Sequence, residues 1–328
     1  MLPSTFGCVT RPPKVLALVL VLVFLVWTYF SASFLCSSGF WAFSSRLSAG
    51  SSDKHVLSAG LCRSTLLDTV ENISRSHVEQ AQGSSYPYLF PPIIHQIWLG
   101  NRPFPSSFSR SQESFRTKNP DMYYALWRDN DIACLIRRFY PVLAPVYAKI
   151  TRVATTSDLA RYLVLYVFGG FYSDTDTVCL QPIRKWPMLE GTQAMVGLEA
   201  EFSHVPNWQD MIVVRQIQVS VWTLASTPLH PLFGSAIHGI FVNCTRLSRE
   251  KLEGMDVMEV AGPGYFTDTV FHYMHAFGAG YANLSGLSRP TLFGDLLVQP
   301  LHVFRWEGRG PEEEACIQHL FGQSWRWR

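Results

Sequence analysis

The sequence predicts an α/β domain that follows a single N-terminal transmembrane helix. Three observations indicate this: an uncharged apolar stretch near the start, a serine-rich segment after it, and short apolar runs that alternate with helical patterns from about Tyr86 onward. The chain has 328 residues, of which 48% are apolar and 16% are charged, so it can bury a large core. These values exclude a disordered or coiled-coil protein.

The charge balance and the cysteines exclude two further classes of protein. Lys and Arg number 27 against 25 Asp and Glu, and a net charge of +2 is too small to provide the positive field of a nucleic-acid-binding protein. The 7 cysteines form no C-x-x-C pair and no Cys/His cluster at zinc spacing, which argues against a structural zinc site or a small disulfide scaffold. The disulfide pairing does not follow from the sequence.

The transmembrane helix is predicted at residues 15–35, which carry no charge and are long enough to cross a bilayer. A cleaved signal peptide is the alternative, but its apolar core is usually shorter. Arg11 and Lys14 precede the stretch, and no charged residue follows it before Arg46. The positive-inside rule therefore predicts a cytosolic tail at residues 1–14 and a lumenal remainder.

A flexible lumenal stem is predicted at residues 36–85, because this segment is rich in serine and lacks hydrophobic periodicity. N-glycosylation sequons occur at Asn72, Asn243 and Asn283. Because such sites are used only in a secretory compartment, they agree with a lumenal orientation.

The globular domain is predicted at residues 86–328, with its elements read from apolar runs and from Gly and Pro punctuation. Strands are expected at 93–98, 123–127, 171–173, 194–198 and near 296–300. Helices are expected at 108–117, 132–140, 157–168, 231–241 and 265–277. The helix at 157–168 is the clearest, with Ser157 as its N-cap and two glycines as its stop. This alternation predicts a sheet with helices on both faces, which binds ligands at the carboxyl ends of its strands.

Two carboxylates follow the predicted strand at 171–173. Asp174 and Asp176 are separated by one residue, so their side chains point the same way if the strand geometry continues. Two oxygen ligands that converge on one point suit Mg²⁺ or Mn²⁺, which leave positions open for phosphate oxygens. The alternative is an Asp-rich turn that ends the strand.

Other polar and aromatic residues are candidates for the same pocket. Asp158 and Arg161 lie one turn apart on the predicted helix that precedes the carboxylates. Each also has a structural interpretation, Asp158 as a partner of the helix dipole and Arg161 as its i,i+3 ion-pair partner. Trp98 is either a core aromatic or a platform for a nucleobase. His319 is either a surface histidine or a metal ligand.

A family resemblance favours the functional interpretations. The ordered pattern S-D-x-x-R-Y followed by G-G-x-Y-x-D-x-D is far more specific than D-x-D alone. It lies among the segments PPIIHQIWLG (91–100), NPDMYYALWRD (119–129), SDLARYLVLYVFGGFYSDTD (157–176), VWTLASTPLHPL (221–232) and GPGYFTD (262–268). Over about residues 91–325 the chain resembles glycosyltransferase family 32, and within it the fungal-type initiation-specific α-1,6-mannosyltransferases of the Golgi.

The resemblance implies a GT-A (Rossmann-like) nucleotide-sugar-binding fold, a nucleotide-sugar donor, Mn²⁺ (or Mg²⁺) as cofactor and transfer with retention of configuration. Asp174 and Asp176 then correspond to the D-x-D pair, with Asp176 as a direct metal ligand, Asp174 mainly as a sugar contact, and His319 as a further ligand. The resemblance assigns donor binding to Trp98, Asp158, Arg161, Tyr162, Asp174 and Trp325, and places Trp325 with His319 in a C-terminal segment that closes over the diphosphate.

Two residues depart from the family pattern. Leu229 stands where relatives often have glycine, and Ala261 replaces a frequent threonine. Both lie toward the expected acceptor side, so the acceptor is the least determined partner. No nucleophilic carboxylate is identifiable from the sequence.

The favoured hypothesis is a type II Golgi membrane glycosyltransferase that transfers mannose from GDP-mannose to a glycan acceptor, such as an N-glycan outer chain, alone or with other Golgi transferase subunits. A second hypothesis keeps the fold but uses a UDP-sugar of galactose, N-acetylglucosamine or glucose on a glycolipid or protein acceptor. A third is a non-catalytic glycan-binding subunit, which we disfavour because the D-x-D pair and the Asp158–Arg161 pair are both intact.

Overall fold

The computed structural model describes residues 62–81, 90–100, 103–305 and 314–322. They form a mixed α/β domain with one large sheet and a separate two-stranded sheet. The strands are β1 (Ile93–Ile97), β2 (Tyr123–Trp127), β3 (Gly170–Ser173), β4 (Thr177–Cys179), β5 (Ala194–Glu201), β6 (Ile217–Val219), β7 (Thr223–Ser226), β8 (Thr291–Phe293), β9 (Leu296–Gln299) and β10 (Ile317–His319).

Each helix that the sequence predicted overlaps a helix of the structure. They are α1 (Thr65–Ala81), α2 (Ser109–Lys118), α3 (Asp129–Phe139), α4 (Ala144–Lys149), α5 (Val153–Phe168), α6 (Pro231–Arg246), α7 (Arg249–Gly254), α8 (Val257–Val260), α9 (Pro263–His275), α10 (Tyr281–Leu284) and α11 (Leu301–Phe304).

The large sheet runs in the order β2-β1-β3-β7-β5-β9-β8, with β6 paired to β5. The pairs β1–β2, β1–β3 and β5–β9 are parallel, and the other pairs of this sheet are antiparallel. The sequence predicted strands that alternate with helices, which gives parallel pairs, but it did not predict the antiparallel strands β6, β7 and β8. These strands are only three or four residues long, too short to show a period of two.

Apolar side chains pack on both faces of the sheet, as the alternation in β1 shows. Ile93 and Ile97 join one buried cluster with side chains of α1, α3, α5, α6 and α9. Ile94 joins a second cluster, which includes Phe115 of α2 and Phe304 of α11. Because successive residues of a strand point to opposite faces, this division means that helices cover the two sides of the sheet.

Helix α5 begins four residues earlier than predicted. Arg152, not Ser157, is its N-cap, and the Arg152 side chain makes no capping hydrogen bond. Asp158 therefore lies in the second turn rather than the first, which weakens its interpretation as a partner of the helix dipole. The helix does end at the predicted glycines. Gly169 has a φ of 65°, and a Cβ there would lie 2.7 Å from the Ser226 carbonyl oxygen.

Part of the predicted stem is folded. Helix α1 occupies residues within the predicted 36–85 stem and buries Leu67 and Val70 in the domain core. A disulfide joins Cys62 to Cys134 of α3. The folded domain thus includes residues from Cys62 onward, well before Tyr86.

The predicted cytosolic tail (1–14) and transmembrane anchor (15–35) lie outside the described residues. Within the ranges that the structure describes, no helix combines the length and apolar character needed to span a membrane.

Candidate active site

The two D-x-D carboxylates lie where β3 leads into β4. Backbone contacts from three directions hold Asp174: its N–H donates to the Trp222 carbonyl at 2.8 Å, and its own carbonyl accepts from Gln96 Nε2 at 3.0 Å and from the Thr177 hydroxyl at 2.6 Å. These bonds connect β1 of the large sheet, through Asp174, to β4 of the two-stranded sheet. The position of Asp174 is fixed by its backbone, so its side chain is available for other partners.

Arg161 of α5 reaches from the helix to these carboxylates. Its guanidinium lies 3.1 Å from Asp158 Oδ1 and 3.3 Å from Asp174 Oδ1, and it donates to the Val221 carbonyl at 2.8 Å. It also stacks over the Tyr172 ring, whose hydroxyl donates to Asp174 Oδ1 at 2.5 Å. Arg161 Nε is buried without a partner among the described residues, so this guanidinium retains a free donor.

The buried charges shift one another's protonation. Burial raises the pKa of Asp158 to about 7, although the Arg161 guanidinium opposes this rise. The carboxylates of Asp174 and Asp158 raise the pKa of Arg161, which stays protonated against the cost of its burial. Burial likewise raises the pKa of Asp176, and His319 opposes that rise. A site with this much desolvated charge is typical of functional centres.

The C-terminal strand β10 brings His319 to Asp176. Strand β10 pairs antiparallel with β4, which places His319 opposite Thr177. His319 Nε2 then lies 3.6 Å from Asp176 Oδ1, and the Gly322 N–H donates to Asp176 Oδ2 at 3.0 Å. Burial lowers the pKa of His319, so a neutral imidazole is favoured.

Asp174, Asp176 and His319 meet the spatial requirement for a metal site, since their ligand atoms all lie within 4.8 Å of one another. The two carboxylates are the ligands that suit Mn²⁺ or Mg²⁺. The Phe321 N–H donates to His319 Nδ1 at 2.9 Å, which in neutral histidine leaves the ring proton on Nε2. Ligation by Nε2 would require that proton to move, so the two carboxylates are the ligands that need no rearrangement.

These groups line a cavity of about 540 Å³. Asp158, Arg161, Asp174, Asp176 and His319 all contribute to its wall. A cavity of this volume accepts a ligand the size of a nucleotide sugar.

The remaining predicted site residues are placed differently. Trp98 lines the cavity but is only 3% exposed, and it packs edge-on against Phe104 and Phe108. Tyr162 points into the core, where it stacks on Phe266 and donates to the Ala261 carbonyl at 2.8 Å; it does not line the cavity. Trp325 lies outside the described residues.

The three sequon asparagines, Asn72, Asn243 and Asn283, are exposed. Of the two departures from the family pattern, Leu229 is exposed and has a φ of 62°, the left-handed region that favours glycine, whereas Ala261 is buried. Neither lines the cavity.

Several cavity residues were not predicted from the sequence, among them Glu199, Trp222 and Arg305. Glu199 lies in β5, a strand in which every other residue except the terminal Glu201 is apolar. An acidic residue inside an apolar run is a signal that was available in the sequence. Trp222 carries no comparable signal, because its place at the cavity depends on the pairing of β7 with β3.

Both a family model and individual relatives identify this chain as similar to glycosyltransferases. Residues 105–192 match the family model described as "Glycosyltransferase sugar-binding region containing DXD motif". The chain is 30% identical over 298 residues to the initiation-specific alpha-1,6-mannosyltransferase of Candida albicans, covering 76% of this chain and 77% of that protein. It is 29% identical over 251 residues to the enzyme of the same name from Schizosaccharomyces pombe, covering 70% of this chain and 63% of that protein.

A relative whose name gives a different activity also matches. The inositol phosphoceramide mannosyltransferase 1 of Schizosaccharomyces pombe is 28% identical over 153 residues, which is 46% of this chain and 42% of that protein. The similarity thus extends to a protein whose name gives inositol phosphoceramide as the acceptor.

Proposed function

The chain belongs to the DXD-containing glycosyltransferases of family 32, together with the fungal initiation-specific α-1,6-mannosyltransferases. On this premise we propose that it is a metal-dependent, retaining mannosyltransferase of the GT-A fold that transfers mannose from GDP-mannose to a glycan acceptor. The observation that carries the proposal is the convergence of Arg161, Asp174 and Asp176 on one cavity.

Each group has a role that its geometry supports. Asp174 and Asp176 would hold Mn²⁺ or Mg²⁺, which supplies charge neutralisation for the departing nucleoside diphosphate. Arg161, fixed by Asp158 and Asp174, brings its guanidinium charge to the cavity wall, where it can bind sugar hydroxyls or phosphate oxygens. Trp98 lines the cavity wall and is the aromatic residue that we assign to contact with the base.

The segment 319–322 supports the site from the C-terminal side. The Leu320 N–H donates to the Asp176 carbonyl at 2.8 Å, and the Gly322 N–H donates to the Asp176 carboxylate. These two contacts orient Asp176 and shield it from water. In the proposed enzyme this segment covers the diphosphate.

We place the enzyme in the Golgi membrane as a single-pass type II protein with its catalytic domain in the lumen. The uncharged stretch at residues 15–35, the Cys62–Cys134 disulfide and the exposed sequon asparagines support this placement. Disulfides of this kind form in oxidising compartments.

A glycolipid acceptor is the second candidate, because one relative is named an inositol phosphoceramide mannosyltransferase. The identity of the acceptor does not determine the donor. Donors to be tested therefore include UDP-galactose, UDP-N-acetylglucosamine and UDP-glucose as well as GDP-mannose.

The test is donor hydrolysis by the purified full-length protein with Mn²⁺, measured across a panel of nucleotide sugars. We expect GDP-mannose to be hydrolysed fastest and chelation by EDTA to stop the reaction. The variant Asp176→Asn tests the metal site. It should lower the rate of hydrolysis roughly 10²- to 10³-fold, because a preorganised electrostatic contact is lost. Preference for a UDP-sugar would overturn the mannose assignment, and equal activity in Asp176→Asn would overturn the metal site.

A further inference from the structure

Glu199 is a carboxylate in the cavity wall that the donor-binding groups leave unused. Strand β5 pairs with β6 through Leu198 and Val219 and then through Ala200 and Gln218. Two steps along β5 thus match one step along β6, and Glu199 is the extra residue of a β-bulge. Bulges redirect a side chain and are common beside active sites.

The Glu199 carboxylate has no firm partner among the described residues. Its Oε2 is buried without a hydrogen bond, and so is Nε2 of Gln218 on the paired strand. The Gln218 side chain lowers the Glu199 pKa as a hydrogen-bonding neighbour, while the Gln218 amide oxygen accepts from the Val214 and Arg215 N–H groups. Arg305 donates to the Glu199 main-chain carbonyl rather than to the carboxylate.

A structural role does not account for this arrangement. Burial raises the pKa of Glu199 to about 7, a change only partly offset by Gln218 and Arg305. An unpaired buried carboxylate destabilises a fold, and such costs concentrate at functional sites. The carboxylate of Glu199 at the cavity wall is therefore best explained by a ligand that donates hydrogen bonds to it.

Glu199 enters the cavity wall from a strand of its own, near enough to Asp174 for that carboxylate to contribute to its raised pKa. Strand β7 separates β5 from the carboxylate strand β3, so Glu199 approaches the cavity from a different strand than Asp174. The chain that follows β5 lines the same cavity with Phe202, Met211 and Ile212, and Ile212 is 78% exposed. Glu199 thus lies between the donor groups and an open, apolar rim.

We propose that Glu199 is an acceptor-binding residue, which accepts a hydrogen bond from a hydroxyl of the acceptor sugar and so orients the acceptor beside the donor. This inference rests on the proposed function, because it assumes that the cavity holds a nucleotide sugar. Glu199 binds and positions the acceptor before transfer and breaks no bond itself. The apolar rim packs against the less polar face of the same sugar.

The experiment compares acceptor-dependent transfer with acceptor-independent donor hydrolysis in Glu199→Gln, with a mannose-terminated oligosaccharide as the probe. Glu199→Gln replaces a charged acceptor by one neutral amide oxygen and an NH2 group, so the hydrogen bond weakens and kcat/KM for the acceptor should fall roughly 10- to 100-fold. The fall in transfer should exceed the fall in hydrolysis by about tenfold or more. Glu199→Asp, which retracts the carboxylate by one methylene, should show the same selective loss if the glutamine variant folds poorly.

Glu201→Gln is the matched control, since Glu201 lies on the same strand but outside the cavity wall and bonds to the Ser203 N–H at 3.0 Å. It should leave both rates near those of the wild type. Equal losses of hydrolysis and transfer in Glu199→Gln would place Glu199 at the donor and overturn the inference, as would two unchanged rates. A wild-type protein that hydrolyses no nucleotide sugar would instead overturn the proposed function.

Discussion

At the scale of single residues, Arg161 connects the two acidic groups of the site. The i,i+3 spacing of Asp158 and Arg161 made their ion pair predictable from the sequence, because helix geometry alone places them together. The contact of Arg161 with Asp174 was not predictable in that way, since it depends on how α5 packs against the sheet. Arg161 thus makes the predicted ion pair with Asp158 and also lines the cavity, while its role in donor binding stays a prediction.

Glu199 gives a prediction about stability and pH. Its raised pKa means that the native state binds a proton more tightly than the unfolded chain does between about pH 4.5 and pH 7. The native state therefore loses stability as pH rises through this window. Glu199→Gln, which cannot ionise, should be about 1–3 kcal/mol more stable than the wild type near pH 8 and much closer to it near pH 5.

Urea unfolding at the two pH values measures this difference, and comparison with the wild type cancels the contribution of Asp158. A wild type that is the more stable protein near pH 8 would contradict the assignment, because it would show that the Glu199 carboxylate is favourably paired. Together with the expected loss of transfer, the result would identify Glu199 as a residue that trades stability for binding.

At the scale of elements, helix α1 explains why the predicted stem extends too far toward the C-terminus. Its buried positions are Leu67, Val70, Glu71 and Ser74, which follow the i, i+3, i+4, i+7 spacing of a helix face. Two of the four are polar, so the hydrophobic pattern alone does not reveal the helix. Glu71 is paired with Arg138 at 2.6 Å, and the Ser74 hydroxyl donates to the Phe168 carbonyl at 2.8 Å.

The Cys62–Cys134 disulfide should stabilise this attachment of α1. It closes a sequence separation of 72 residues, for which loop-closure entropy gives roughly 4 kcal/mol. The double variant Cys62→Ser/Cys134→Ser should lose about this much free energy of unfolding. Chemical denaturation measures it.

The reduced wild type is the control for this prediction, and it should unfold like the double variant. Cys244 is a free, buried cysteine, so Cys244→Ala removes a thiol without breaking a cross-link. If the double variant matched the oxidised wild type, α1 would be held by its packing and ion pairs alone.

At the scale of the whole molecule, the sequence predicted the local elements better than their arrangement. Strands β1 and β2 lie where the apolar runs placed them, since each run ends at a Gly or polar turn. The pairing of β10 with β4 joins segments far apart in the chain, and no local pattern encodes it. His319 reaches Asp176 only through that pairing, which is why the family resemblance, and not the spacing, placed it in the site.

The most direct test of the central claim is a crystal structure of the protein with Mn²⁺ and GDP, recorded with anomalous scattering at the manganese edge. We expect one anomalous peak bound by the carboxylates of Asp174 and Asp176, with the diphosphate between that peak and Arg161. A peak elsewhere in the molecule, or nucleotide bound outside the cavity that these residues line, would contradict it.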